Sequence, residues 1–318
     1  METDLSSFGR IGVLMGGPSS EREISLASGK AVYESLKSLT PDIVALDILT
    51  DSRQENLRLI QQSGIDIAFI ALHGRFGEDG QVQALLEEMN IPYSGSDPAA
   101  SRLAMDKIAS RRIFQEQGLP VPDYVSLCAR DDLRFAFEIS GHLSPPLVVK
   151  PCRQGSSIGL SIIEGQEELK SAIEYAVGFD EEIIIEEYIP GKEITVGILG
   201  DSPLPVVEII PKKRFYDYEA KYKAGQSNYA VPADLPVQVT SRVQDVAHCA
   251  HKFLGCWGFS RVDMRLNPDN KPFVLEVNSI PGLTMTSLLP KAAKAAGMDF
   301  VNLCVFILRL AYERSAKE

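Results

Sequence analysis

The segment from Arg261 to Gly282, RVDMRLNPDNKPFVLEVNSIPG, constrains this chain more than any other. VDMRLN and PFVLEVN are short runs of apolar and β-branched residues, and Pro-Asp-Asn between them is turn chemistry, so a β-hairpin is predicted. With the turn centred between Asp269 and Asn270, Asp263 stands opposite Glu276. Asn278 lies two residues on and shares Glu276's face. Two carboxylates side by side on a sheet repel. A cation between them removes that cost, and an all-oxygen Asp/Glu/Asn set suits a hard divalent ion such as Mg²⁺. A solvated acidic face reads the same from the pair alone, but Arg261 before the acids and the SIPG loop after them favour a metal site.

The rest of the chain supplies α/β units. IGVLM, from Ile11 to Met15, is a short buried strand, and GGPSS turns into the helix EREISLASGKAVYESLKSL, with Ser20 and Glu23 spaced as a capping box. Its glycines do not form a GxGxxG fingerprint. Glu21 at the helix start fits both the helix dipole and a ligand contact. DIVALDI and IDIAFIAL are further strands, the second running into the polar loop HGRFGEDG, where α/β proteins place ligands. His73 there fits a ligand site or a structural loop residue. MDKIASRRIFQEQGLPVPDYV is a helix with Lys107 in its first turn, against the dipole, so an anion or plain solvent must compensate.

LVVKPCRQGSSIGLSII is a strand ending at Lys150, a GSSIG loop, and a second strand. Such a loop offers N–H groups and hydroxyls to phosphate, although an ordinary hairpin reads alike; the GxxxxGK[ST] pattern is absent. EEIIIEEYIPGKEITVGIL is strand, turn, strand, with acids flanking the connection. KKRFYDYEAKYKAGQSNYAVPADLP follows no clean period and reads as a long loop of the kind that forms lids.

At 318 residues two or three subdomains are expected; we place them at 1–98, 99–187 and 188–318. A net charge of −11 argues against general nucleic-acid binding. Five cysteines without a CxxC pattern indicate neither a zinc site nor a disulfide framework. With no signal-peptide pattern and no 18-residue apolar run, the chain reads as cytoplasmic and without a membrane partner.

Taken together, GGPSSEREIS, ALHGRFGEDG, MDK, VVKPCRQGSSIG, FYDYEAKY, GFSRVDMRL and LEVNSIPGLTMTSL, in this order, resemble the D-alanine–D-alanine ligase family of the ATP-grasp superfamily. The resemblance implies an α/β fold: an N-terminal Rossmann-like substrate domain, a small central α+β domain and a C-terminal α+β domain. It implies ATP as cosubstrate, with Lys107, Lys150, Ser156 and Ser157 at its phosphates. Glu186, Glu187 and Ile189 would lie at the adenine, Glu193 at the ribose and Lys221 at the γ-phosphate. Asp263, Glu276 and Asn278 would hold two Mg²⁺, with Mn²⁺ able to substitute.

For the amino acids, the resemblance implies that Glu21 meets the first D-alanine's ammonium with support from Ser156 and Tyr222. His73 would lie near that substrate, and Ser287 at the second carboxylate. Arg261 and the backbone of Gly282 would hold the oxyanion. The reaction implied is ATP-dependent synthesis of D-alanyl-D-alanine through a D-alanyl phosphate, for peptidoglycan precursors, in a homodimer. Gln154 stands where the family often has Glu, and Ser279 where Thr is common. Tyr222 matches dipeptide-forming members rather than the Phe of D-alanine–D-lactate enzymes, and Glu21 with the EAKY segment argues against other carboxylate–amine ligases. A regulatory module that had lost catalysis would lack a metal ligand or the arginine, and Arg261, Asp263, Glu276 and Asn278 are all present.

Overall fold

The computed structural model describes residues 5–211 and 227–315. Its first sheet is parallel, ordered β2 (Ile43–Ile48), β1 (Ile11–Gly16), β3 (Ile67–Ile70). β1 is buried along its whole length, as expected of a central parallel strand covered on both faces. Gly16 and Gly17 then turn the chain with φ of 85° and 87°. A Cβ on Gly16 would meet Asp47 at 2.2 Å and Arg22 at 2.4 Å, so only glycine fits.

α1 (Arg22–Lys37) packs on this sheet, while α2 (Arg53–Ser63) and α3 (Gln81–Glu88) follow β2 and β3. The expected Ser20–Glu23 capping box does not form: the N-cap is Glu21, with no side-chain cap bond. Instead Ser19 Oγ accepts from Glu21 N at 3.2 Å and donates to the His73 carbonyl at 2.6 Å. The helix start is tied to the neighbouring β3 loop rather than closed on itself.

α4 (Pro98–Met105) and α5 (Lys107–Glu116) meet at Asp106, which caps α5 by accepting from Ala109 N at 2.9 Å. The second sheet is antiparallel, ordered β4 (Tyr124–Cys128), β7 (Glu182–Glu187), β5 (Leu147–Pro151), β6 (Ser161–Ile163). α6 (Leu133–Ser140) and α7 (Leu169–Val177) bury their apolar residues against it. The IPGK turn after β7 is no hairpin; it hands the chain to the third sheet.

That sheet runs β11 (Ser227–Ala230), β10 (Val207–Pro211), β8 (Lys192–Leu199), β12 (Phe259–Leu266), β13 (Pro272–Asn278), with β9 (Ser202–Pro203) paired to β8. Within the long stretch expected as loop, Ser227–Ala230 is a strand. Lys221 and Tyr222 lie outside the described residues. α8 (Val237–Phe253) covers one face of the sheet in a core that also takes Phe114 and Val121. α9 (Leu288–Ala295) and α10 (Phe300–Ser315) share a continuous core with the first sheet. Among the described residues no single helix is long and apolar enough to cross a membrane.

Candidate active site

The β12–β13 hairpin places Asp263 opposite Glu276 and Arg261 opposite Asn278. The route to this register differs from the expected symmetric turn. Near the turn, Leu266 faces Pro272 and Met264 faces Val274, one residue out of step. A bulge between those pairs and Asp263, which leaves Leu275 unpaired, restores the register at the acids. Along β12 the alternation puts Arg261, Asp263 and Arg265 on one half-exposed face and Val262 and Met264 in the core.

Both carboxylates already have cationic neighbours. Arg261 donates from Nε and Nη2 to the two oxygens of Asp263 at 2.8 and 2.7 Å. Thr195 on β8, in register with Asp263, donates its hydroxyl at 2.6 Å. Lys107 Nζ lies 3.1 Å from Glu276 and donates to the Gln154 carbonyl at 2.7 Å. Lys107 is 6 % exposed, so the solvated-lysine alternative does not apply. Burial disfavours its charge, but Glu276 outweighs burial and its pKa is raised. The contact to Gln154 is made by backbone, so this lysine does not depend on whether Gln or Glu stands there.

Two cavities meet at these acids. The first, about 280 Å³, lies between the second and third sheets. Lys107, Lys150, Ser157, the segment from Glu186 to Ile189, Glu193, Asp263 and Glu276 all line it. The second, about 430 Å³, is bounded by Glu21, His73, Ser156, Arg261, Asp263, Glu276, Asn278, Gly282 and Ser287. Asp263 and Glu276 border both. The GSSIG loop separates the cavities, with Ser157 facing the first and Ser156 the second. Ser156 and Ser157 adopt left-handed φ of 54° and 58°, strain of a kind that persists where surrounding contacts hold the backbone.

In the first cavity, Lys150 donates to Glu186 Oε1 at 2.7 Å across the β5–β7 ladder. Buried Arg111 pairs with the other oxygen of Glu186. Burial pushes Glu186 up, but Arg111 and Lys150 prevail and hold its pKa low. Burial dominates at Lys150, whose pKa falls to about 8. The carboxylate of Glu186 is thus turned to these cations. That of Glu187 accepts from Ser144 N at 2.7 Å. Arg265 gathers the turn after β7: it lies 3.4 Å from Glu193 and donates to Tyr188 Oη at 2.8 Å and the Ile189 carbonyl at 3.0 Å.

In the second cavity, Glu21 accepts from Ser156 Oγ, joining the start of the first helix to the GSSIG loop. Gly155 allows this approach, since a Cβ there would lie 3.1 Å from the Glu21 carboxylate. His73 is buried, with Nε2 3.0 Å from Ser28 Oγ and Nδ1 3.6 Å from Glu78. Burial raises the Glu78 pKa against the opposing pull of His73. Ser28 Oγ also accepts from Leu283 N at 3.2 Å, which ties α1 to the loop carrying Gly282. Ser287 sits at the N-cap position of α9 without a side-chain cap bond; its hydroxyl accepts from Thr284 N at 3.1 Å and is 2.8 Å from Thr284 Oγ1.

Arg111, Arg265, Thr195 and Glu78 were not singled out from sequence. Period-two spacing from Asp263 reaches Arg265, and i,i+4 spacing from Lys107 reaches Arg111. Thr195 and Glu78 carry no such signal. Ligand atoms of Asp106, Cys152 and Glu182 also lie within 4.8 Å of one another. Arg153 already pairs with both acids, at 3.3 Å and, for Glu182, 2.6 Å. Burial lifts the Cys152 thiol to about 12, so this is an ion-pair cluster around arginine.

Family models described as D-ala D-ala ligase C-terminus and D-ala D-ala ligase N-terminus match residues 113–309 and 47–96. The D-alanine–D-alanine ligase of Desulforudis audaxviator is 47% identical over 309 residues, covering 96% of this chain and 99% of the relative. That of Geotalea uraniireducens is 44% identical, covering 98% of each. Among solved structures, the ATP complex of the Bacillus anthracis D-alanine–D-alanine ligase superposes with TM-score 0.84 at 34% identity, covering 97% and 99%. A D-Ala:D-Ser ligase from Enterococcus faecalis gives 0.81 at 32%, covering 95% and 99%. The fold is that of the ATP-grasp ligases. Full-length coverage at this identity, on a chain whose hairpin acids border both cavities, places it in the D-alanine–D-alanine ligase family.

Proposed function

We propose that the protein joins two D-alanine molecules to D-alanyl-D-alanine at the expense of ATP, supplying a peptidoglycan precursor. The observation that carries this reading is the pair Asp263 and Glu276, on the wall shared by a lysine-lined cleft and a polar cavity. ATP takes the first cavity, with Lys107, Lys150 and Ser157 at the phosphates and the segment from Glu186 to Ile189 with Glu193 at the nucleoside. The two amino acids take the second. Glu21 and Ser156 receive the first ammonium, near His73, and Ser287 with Gly282 receives the second carboxylate.

A carboxylate oxygen of the first D-alanine attacks the γ-phosphorus, and the bond to ADP breaks. The amine of the second D-alanine then attacks the acyl carbon; phosphate leaves and the nitrogen loses a proton. Arg261 and the Gly282 backbone stabilise the oxyanion. Asp263, Glu276 and Asn278 are hard oxygen donors on one sheet face and fit two Mg²⁺, with Mn²⁺ able to substitute. When bound, these ions neutralise charge on the phosphoryl oxygens. Lys221 and Tyr222 are proposed at the γ-phosphate and the first substrate from the family pattern alone. Units 1–98, 99–187 and 188–318, a cytoplasmic location and a homodimer formed through the N-terminal region complete the proposal.

The test is phosphate release from ATP and Mg²⁺ with D-alanine, L-alanine, D-serine, or D-alanine plus D-lactate, with products identified by mass. Release with D-alanine and appearance of the dipeptide is expected; no release with any of them would remove the ligase reading. Tyr222→Phe is expected to raise D-lactate use relative to D-alanine at neutral pH, and an unchanged acceptor ratio would take Tyr222 out of specificity.

A further inference from the structure

Arg111 heads the fully buried large side chains of the described residues, and no step above requires it to touch a substrate. It stands one turn after Lys107 on α5, on the same helix face. Its guanidinium pairs with Glu186, lies 3.4 Å from the Leu275 carbonyl at the β13 bulge, and stacks 5.3 Å from the Tyr124 ring centroid. Glu186 holds Lys150 with its other oxygen. One carboxylate is therefore shared by two cations, and the side chains of Arg111, Glu186 and Lys150 are only 0%, 3% and 9% exposed.

A buried Lys–Glu pair alone would be neutral, and Glu186 would cancel the charge of Lys150. The second cation leaves the triad at net +1, against the desolvation cost of burying it. Lys150 and Glu186 line the nucleotide cleft; Arg111 is behind them, outside its lining. We infer that Arg111 is a positioning residue for the nucleotide: by balancing Glu186 it leaves the charge of Lys150 to the polyphosphate. This rests on the nucleotide assignment of that cleft.

Removing Arg111 has a second consequence. Burial lowers the Lys150 pKa to about 8; Glu186 and Glu276 oppose that, while Arg111 and Lys107 add to it. Without Arg111 the balance moves upward, so Lys150 stays protonated to higher pH while its charge is more fully cancelled by Glu186.

The test uses Arg111→Met and Arg111→Lys in the full chain, with Mg²⁺–ADP binding measured by calorimetry without D-alanine. Arg111→Met leaves Glu186 paired with Lys150 and so orphans no buried charge. We expect its ADP affinity to fall by about tenfold or more, and Arg111→Lys to stay within about threefold of wild type. Deprotonation of Lys150 is expected to weaken ADP binding at alkaline pH in the wild type, and this loss should shift to higher pH in Arg111→Met. Wild-type affinity in Arg111→Met, or Arg111→Lys as weak as Arg111→Met, overturns the inference. Should Arg111→Met fail to fold, Arg111→Lys decides alone, and a loss of about tenfold there overturns it. Wild-type protein that binds ADP but makes no dipeptide removes the ligase reading and leaves this inference standing; wild-type protein that binds no ADP removes both.

Discussion

Glu276→Ala is expected to abolish dipeptide synthesis, lowering kcat by about a thousandfold or more, through loss of a metal ligand rather than of the fold. Glu276 faces Asp263 across the hairpin and borders both cavities. Its removal takes away one of two facing carboxylates and also the ion-pair partner of Lys107. Lys107 retains the Gln154 carbonyl at 2.7 Å, so the cation keeps one acceptor. Glu276→Gln preserves the shape and one oxygen donor but lacks the charge, and should recover part of the activity only at raised Mg²⁺. The measurement is initial rate against Mg²⁺ concentration for wild type and both variants, with melting temperature alongside. Unchanged turnover and unchanged Mg²⁺ dependence in Glu276→Ala would take the metal away from this hairpin.

Arg261→Lys is expected to lower kcat by roughly a hundredfold to a thousandfold while ATP binding changes little, the pattern of a lost oxyanion donor. Arg261 reaches both oxygens of Asp263 with a planar fork, which an ammonium cannot reproduce. It borders the second cavity and not the first. Acyl-phosphate formation, followed by isotope exchange within ATP, should therefore suffer less than release of dipeptide. Equal losses in both, with weakened ATP binding, would make Arg261 a support for Asp263 and nothing more.

Much of the site was legible because it is built from strand periodicity. The alternation in VDMRLN puts Arg261 and Asp263 on one face and Val262 and Met264 in the core, and the two-residue spacing in PFVLEVN puts Glu276 and Asn278 together, while the bulge sets Val274 in the core on the opposite face from Glu276. The register was less secure than it looked: the turn is half a residue off the assumed centre, and the Leu275 bulge corrects it. The capping box failed for a different reason. The helix starts at Arg22 with Glu21 at the N-cap, one residue past the position the box needs, and Ser19 and Glu21 bond the β3 loop and the GSSIG loop.

By itself the sequence determined which residues share a face: Arg261, Asp263 and Arg265 on one strand, Lys107 and Arg111 on one helix, Glu276 with Asn278. Its motifs in order determined the family. Only the tertiary structure decided which faces meet. Glu21 bonds Ser156 across 135 residues, and Arg111 reaches Leu275 across 164. The helical and pleated periods act over a few residues and orient side chains within an element. The buried charges at Lys107, Arg111, Lys150 and Glu186 are tolerable only where packing of separate sheets brings opposite charge to them, because desolvation penalises each one alone.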